Sequence, residues 1–404
     1  MKKIFWLVGD KSGDMHASRV MKELNETISN IQHFGIGGAL MSEQGLEPLF
    51  PFQRFLIMGF VEVIKHIPFI LKVESTIKRF LSKIRPDIVV LVDYPGLNLR
   101  VARIAKKMRL KVFYFICPQF WAWKHYRVLQ LKKYCDFVAC IFPFEKGILD
   151  KYEINSSYVG HPIMEEIEIK LDKKSFADKH GLDSNKTWIG FFPGSRRTEV
   201  KRLLPIYQET IKRLSETKPE YQFLISIVPP PTPPINVGGI DMPSPISVGG
   251  NDLPHPRSMR EGGRGGIPSF MIQGYNYEIM KHCDFLIVKS GTSTVETAIL
   301  GTPFALVYKA NYFSYFLAKM IIKVKFIGMP NIILDKKVVP ELIQSEVTPE
   351  KIIETIFYFI ENKKEYNEMK TQFNELHNIL GTKSASKTTA DLIIELGTQT
   401  SCLQ

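Results

Sequence analysis

The stretch Phe285-Leu286-Ile287-Val288, followed by Lys289-Ser290-Gly291-Thr292-Ser293-Thr294-Val295-Glu296, narrows the fold more than any other. Four consecutive apolar residues suit a strand covered on both faces, which is the environment of a parallel sheet. A Gly/Ser/Thr turn comes next. The placement of Val295, Ala298 and Leu300 before Gly301 then predicts a helix beginning near Thr292. A strand, a tight turn and a helix N-terminus together form an anion site. The first helical N–H groups lack intrahelical partners, and the helix dipole adds partial positive charge. Glu296 falls in the first turns, within reach of a sugar hydroxyl beside bound phosphates. The same residues also suit an ordinary strand-to-helix turn with a Ser or Thr cap. Neither a Gly-Lys-Ser/Thr phosphate loop nor a GxGxxG fingerprint is present.

That unit recurs along the chain. Ile4–Val8 leads into Gly9-Asp10-Lys11-Ser12-Gly13-Asp14 and a helix carrying Ala17, Val20, Met21 and Leu24. Gly35-Ile36-Gly37-Gly38 reads as a second flexible turn. Strands are expected at Ile88–Val92, ending in Asp93-Tyr94-Pro95-Gly96, at Val112–Ile116, at Phe137–Phe142 and at Tyr158-Val159. After the polar run Lys170–Lys186, taken as a link, the pattern restarts. Trp188–Phe192 exits into Pro193-Gly194-Ser195-Arg196-Arg197, and Phe223–Val228, Phe270–Ile272, Phe285–Val288 and Phe304–Tyr308 follow. This rhythm predicts two doubly wound Rossmann-like α/β domains facing each other across a cleft. A chain of 404 residues accommodates two. The expected boundaries are 1–170, 187–345, a pair of helices within 346–385, and a loose tail over 386–404.

One segment breaks the rhythm. Residues 229–268 hold ten Pro and eight Gly, a density that excludes a helix or a central strand. A near-tandem copy lies within it, Ile235–Pro245 followed by Ile246–Pro256. Two copies are too few for a solenoid, and the segment reads as a disordered surface insert in the second domain. A second unusual stretch is 52–80, where Phe52, Phe55, Leu56, Phe60, Ile64, Phe69 and Leu71 crowd among Lys65, Lys72, Lys78 and Arg79. A wide apolar face with basic flanks suits a membrane surface or acyl chains. It equally suits two buried helices broken near Pro68.

The net charge of +12 fits nucleic acid, an anionic membrane or an anionic substrate. No zinc-finger spacing or arginine-rich tail favours nucleic acid. Five cysteines without a CxxC pair argue against disulfides and structural zinc. No stretch is apolar enough to span a membrane. Without GxGxxG or GxSxG, neither dehydrogenase nor hydrolase chemistry is supported. A nucleotide-sugar enzyme needs cations and N–H groups for a diphosphate, a carboxylate for ribose and a base for the acceptor. Ser195, Arg196, Arg197 and the Ser290–Glu296 turn suit the first two needs, since arginine donates bidentate hydrogen bonds to phosphates. Asp93, Asp14, His16, His125 and His161 are available in the first domain. Asp93, at a strand end, is placed for a general base, or caps the following loop.

Ten loops, in order, resemble one family. They include Ser12-Gly13-Asp14, Met58-Gly59-Phe60-Val61-Glu62-Val63, Val92–Leu99, Pro118-Gln119-Phe120-Trp121-Ala122-Trp123, Val159-Gly160-His161-Pro162, Pro193–Glu199, Ser290–Glu296 and Pro330-Asn331-Ile332-Ile333. The chain resembles the lipid-A-disaccharide synthases over about residues 1–228 and 270–385. The resemblance implies an inverting glycosyltransferase with the GT-B arrangement. It would move 2,3-diacylglucosamine from UDP onto the 6-hydroxyl of 2,3-diacylglucosamine 1-phosphate. No cofactor and no metal are implied. The partners implied are those two substrates and the anionic inner-membrane surface, with the protein peripheral on the cytoplasmic face. It further implies Asp93 as the base that activates the acceptor hydroxyl, or as the group that orients it, and Arg196 with Ser290, Gly291, Thr292, Ser293 and Thr294 on the diphosphate. Glu296 would bind the donor's ribose, with Ser195 and Gln273 on the nucleotide, and Asp10, Ser12, Asp14 and Asn98 on the acceptor side. Two departures stand out. Asp10 replaces the family's usual Glu, one methylene shorter, and the 229–268 repeat stands where relatives have a helix and a strand. The alternatives are a transferase for another acceptor, or an impaired homologue that binds lipid or nucleotide.

Overall fold

The computed structural model describes residues 2–56, 67–122, 124–227, 269–311 and 325–398. Two compact units emerge, Met1–Glu166 with Ile379–Gln404, and Ile167–Asn378. The expectations for 57–66 and for the 229–268 repeat fall outside the described residues.

The first unit is built on β1 (Lys3–Val8), β2 (Gln32–Ile36), β3 (Leu46–Pro48), β4 (Ile88–Val92), β5 (Lys111–Phe115), β6 (Phe137–Cys140) and β7 (Ser156–Tyr158). They pair in parallel in the order β3-β2-β1-β4-β5-β6-β7. The second unit holds β8 (Thr187–Phe192), β9 (Tyr221–Ile227), β10 (Ser269–Gln273), β11 (Phe285–Lys289), β12 (Phe304–Tyr308) and β13 (Glu341–Ile343). Their order is β10-β9-β8-β11-β12-β13, again parallel. Every residue of β4 is buried, as an apolar strand covered on both faces requires. In each sheet the chain winds outward from the first strand, then returns to its other side. The order therefore reverses between β1 and β4, and between β8 and β11. That reversal leaves a crevice at the carboxyl ends of the strands, where ligands of such sheets bind.

Helix Lys11–Thr27 starts inside the stretch expected as a turn, so that Ser12, Gly13 and Asp14 lie within it. Asp10 is the N-cap, and its side chain accepts a hydrogen bond from the Gly13 N–H at 2.7 Å. Ala17, Val20, Met21 and Leu24 are all buried. A polar pair inside this core is matched as well. Trp6 donates from Nε1 to His33 Nδ1 at 3.0 Å, and His33 Nε2 lies 3.0 Å from Asn25 Oδ1. Burial pushes the His33 imidazole down to about 4, so it stays neutral and accepts the indole N–H.

Five further elements differ from expectation. Gly35 and Ile36 form the end of β2 rather than a turn. Gly35 has φ +142°, and a side chain there would strike the Trp6 carbonyl at 1.9 Å, so glycine is needed inside the strand. The short strands β3 and β13 were not anticipated at all. The link 170–186 contains helix Lys173–His180, capped by Asp172, with Phe176 buried against Trp188. The tail expected to be loose over 386–404 instead carries helix Ala385–Thr398. It lays Ala390, Ile393 and Leu396 into the first unit's core beside helix Lys11–Thr27. Glu165 accepts from Ser384 Oγ at 2.9 Å and from the Ser386 N–H at 3.0 Å, fixing the start of this helix.

The i, i+3 spacing of Ala390, Ile393 and Leu396 explains why a polar-looking segment packs. Ile393→Ala should cost about 2–4 kcal/mol through the lost methylenes and the cavity they leave. Urea unfolding followed by tryptophan fluorescence would read this as a lower midpoint with an unchanged slope.

Candidate functional site

In the first unit, β1 and β4 pair in register up to Val8 and Val92, so Gly9-Asp10 and Asp93-Tyr94 emerge side by side at the crevice. The two loops are in contact. A Cβ on Gly9 would fall 2.1 Å from the Tyr94 ring, so only glycine lets that ring lie over the β1 exit. Asp93 and Tyr94 both hold left-handed backbone conformations, with φ +46° and +42°. Such non-glycine residues carry strain of about 1–3 kcal/mol each and persist only where surroundings enforce them. The enforcement is visible. The Asp93 N–H donates to the Phe115 carbonyl at 3.0 Å, and its carbonyl accepts from Tyr114 Oη and Asn98 Nδ2, both at 2.6 Å. Asn98 also donates to the Val92 carbonyl at 3.0 Å. Pro95 then opens helix Pro95–Lys107 at its first turn.

Burial raises the Asp93 carboxyl to about 6, and the like charge of Asp10 adds to the rise. The Tyr94 N–H, His16 and Arg127 oppose it. Because the folded value lies above the unfolded one, the ionised carboxylate is a cost to the fold. Its contribution to stability is best below about pH 4 and declines as pH rises through about 6. A group near 6 is ionised at neutral pH yet basic enough to take a proton. His16 Nδ1 and Glu166 Oε1 lie 2.9 Å apart, without straight hydrogen-bond geometry. The loop after β5 is fixed by Glu145, which is buried. It accepts from Trp121 Nε1 at 2.9 Å and from the Phe142 N–H at 3.2 Å. Burial moves its carboxyl up to about 7.

The expected acceptor residues separate into two groups. Asp10 and Ser12 lie at the crevice, Ser12 exposed on the first helical turn. Asp14 and Asn98 face the interior. The Asp14 carboxylate accepts N–H groups from Gly38 at 2.7 Å and from Leu40 and Met41 at 3.3 Å, capping helix Ala39–Glu43. Asn98 is fully buried and holds the β4 exit.

In the second unit, β8 and β11 pair up to Phe192 and Val288, which brings Pro193–Arg197 beside the Lys289–Thr294 turn. Helix Arg197–Thr217 starts with Arg196 as N-cap, and Ser195 and Arg196 are exposed. Helix Ser293–Leu300 starts one residue later than the sequence predicts and ends on Gly301 with φ +80°. Thr294 Oγ1 donates to the Gly291 carbonyl at 2.7 Å, closing the turn. Gly291 and Thr292 are exposed, Ser290, Ser293 and Glu296 half-buried, and Thr294 buried. Gln273 is exposed at the end of β10, on the far edge of the sheet.

Sequence reasoning missed two residues here. Glu199 joins the loops: Oε1 lies 2.8 Å from Lys289 Nζ and 3.8 Å from Arg196 Nη1, and Oε2 accepts the Arg196 N–H at 3.3 Å. Gly194, at φ +100°, leaves room for it, since a Cβ there would fall 2.4 Å from Oε2. A Glu three residues into a helix marks such a cap in sequence, whereas nothing in the sequence marks its reach to Lys289. Among the described residues no group of three His, Cys, Asp or Glu is placed to hold a metal ion.

Comparison with known proteins extends these observations. A protein-family model described as lipid-A-disaccharide synthetase matches residues 4–236 and 264–393. The interruption falls on the Pro/Gly repeat. The chain is 36% identical over 401 residues to lipid-A-disaccharide synthase of Persephonella marina, covering 98% of this chain and 99% of that one. Against the enzyme of that name from Nitrosococcus oceani, identity is 33% over 390 residues, covering 96% and 95%. The fold is similar to that of UDP-GlcNAc 2-epimerase from Neisseria meningitidis bound to UDP-GlcNAc. The TM-score is 0.59 at 14% identity, covering 97% of this chain and 98% of that one. Two doubly wound parallel units of the GT-B class, with a match running nearly end to end, place the chain in the lipid-A-disaccharide synthase family of glycosyltransferases.

Proposed function

We propose that the protein transfers 2,3-diacylglucosamine from UDP to the 6-hydroxyl of 2,3-diacylglucosamine 1-phosphate with inversion, yielding the β-1,6-linked disaccharide 1-phosphate and UDP. The observation that carries this reading for the chain's own residues is Asp93. It is a clamped, half-buried carboxylate raised to about 6 at the switch point of its sheet. Asp93 takes the proton from the acceptor hydroxyl as that oxygen attacks the anomeric carbon. The bond to UDP breaks on the opposite face. Arg196 and the N–H groups of the Ser290–Thr294 turn stabilise the charge gathering on the diphosphate, where interactions specific to the transition state raise the rate. Glu296 holds the ribose, and Ser195 and Gln273 lie on the nucleotide side. Asp10 and Ser12 line the acceptor side, while Asp14 and Asn98 act through the backbone they hold.

Both substrates carry acyl chains, which supports a peripheral site on the cytoplasmic face of the inner membrane. Helix Ile67–Ile84 buries Val73, Ile77 and Leu81 on one side and exposes Leu71, Lys72, Lys78 and Arg79 on another. That pattern suits an anionic lipid surface. No helix among the described residues is long and apolar enough to cross a membrane.

The test is a transfer assay in mild detergent with both named substrates, following UDP release and disaccharide together. A folded protein that forms no disaccharide would overturn the reading. Asp93→Ala should lower turnover about 10²–10⁴-fold, the usual worth of a positioned base, with UDP affinity kept. In the wild type, kcat/KM should fall tenfold per pH unit below about 6, as the base protonates. Arg196→Ala should weaken donor binding about tenfold or more and slow turnover as well. Unchanged donor affinity and rate would remove Arg196 from the site.

A further inference from the structure

The second unit's crevice contains a cation that the reading above does not use. Lys289 is the last residue of β11, and its Nζ sits where the two loops converge. It lies 2.8 Å from Oε1 of Glu199, in the first turn of helix Arg197–Thr217. It also lies 3.9 Å from the position a Cβ on Gly291 would occupy, so it is drawn over the turn that opens helix Ser293–Leu300. Both side chains of the pair are largely shielded, with 22% and 15% exposure, so water screens the contact less than at an open surface. The Glu199 carboxylate also takes the Arg196 N–H and stands 3.8 Å from its guanidinium. One carboxylate therefore organises two cations, and the three side chains together keep a net positive charge.

We propose that Lys289 is a further cation for the donor's diphosphate, positioned over the Ser290–Thr294 turn by Glu199; the inference rests on the donor reading above. An ammonium has three N–H donors, and the Glu199 contact takes one. The others remain for phosphate oxygens without breaking the pair. Lysine serves here as a compact point charge, complementing the planar fork of Arg196. The chemistry recognised is a nucleoside diphosphate, with the charge on the phosphates rather than the base or sugar.

Binding of UDP and of uridine to the full-length protein, by calorimetry and ligand-observed NMR, separates this role from a purely structural one. Lys289→Met keeps a long apolar stem and removes the charge. It should weaken UDP about 10- to 100-fold, the range expected for a lost charge-assisted hydrogen bond, and leave uridine unchanged. Lys289→Arg keeps the charge and should restore most of the UDP affinity. The proposal is overturned if Lys289→Met binds UDP like the wild type. It is equally overturned if UDP and uridine weaken together, since that marks a damaged fold rather than a lost phosphate contact. A folded wild-type protein that binds neither ligand would strike the donor reading itself and carry this inference with it.

Discussion

Parallel pairing between β1 and β4, and between β8 and β11, is the constraint on which the rest depends. These hydrogen-bonded pairs cannot be joined by a tight turn, so each strand must exit into a loop and a returning helix. The loops that leave neighbouring strands in the same direction are forced together at one edge. Asp10 meets Asp93 in this way, and Arg196 meets the Lys289–Thr294 turn. Their proximity follows from register, and the side chains then tune what register supplies.

The tuning differs between the two units. In the first, the chemistry is a shifted proton affinity. Burial and a neighbouring carboxylate hold Asp93 near 6, while Tyr114, Asn98 and Phe115 pin its backbone. The pinning matters because an Asp free to relax would turn toward water and lose the shift. In the second, the chemistry is a charge balance. Glu199 gathers Lys289 and Arg196 close to one another, opposing the repulsion that would otherwise spread the loops.

Much of this was legible in the sequence, and the reasons for the rest are physical. The strands β1, β4, β8, β11 and β12 were readable because apolar runs bounded by polar turns have few other uses. Edge strands β3 and β13, each three residues long, carry too few apolar positions to stand out. Gly35 misled because a glycine in a strand looks like a turn until its close approach to the Trp6 carbonyl is known. Helix Ala385–Thr398 misled because its Ser/Thr-rich start resembles a tail, and its apolar stripe gains meaning only from the core it meets. Asp93 was legible from its place at a strand end. Asp14 and Asn98 were expected on the acceptor side from the family resemblance, while their inward aim depends on partners far along the chain.

The position of that last helix has a consequence for biosynthesis. The first unit is interrupted in sequence by the whole of Ile167–Asn378. A ribosome emits about 5–20 residues per second, so the first unit's sheet waits on the order of tens of seconds for Ala390, Ile393 and Leu396 to be made. During that interval helix Lys11–Thr27 lacks the cover it has in the finished molecule, whereas the second unit's last strand, β13, is made before Ala390. The later-encoded unit is therefore free to complete first, and the nascent first unit is the stage at which a chaperone has apolar surface to hold.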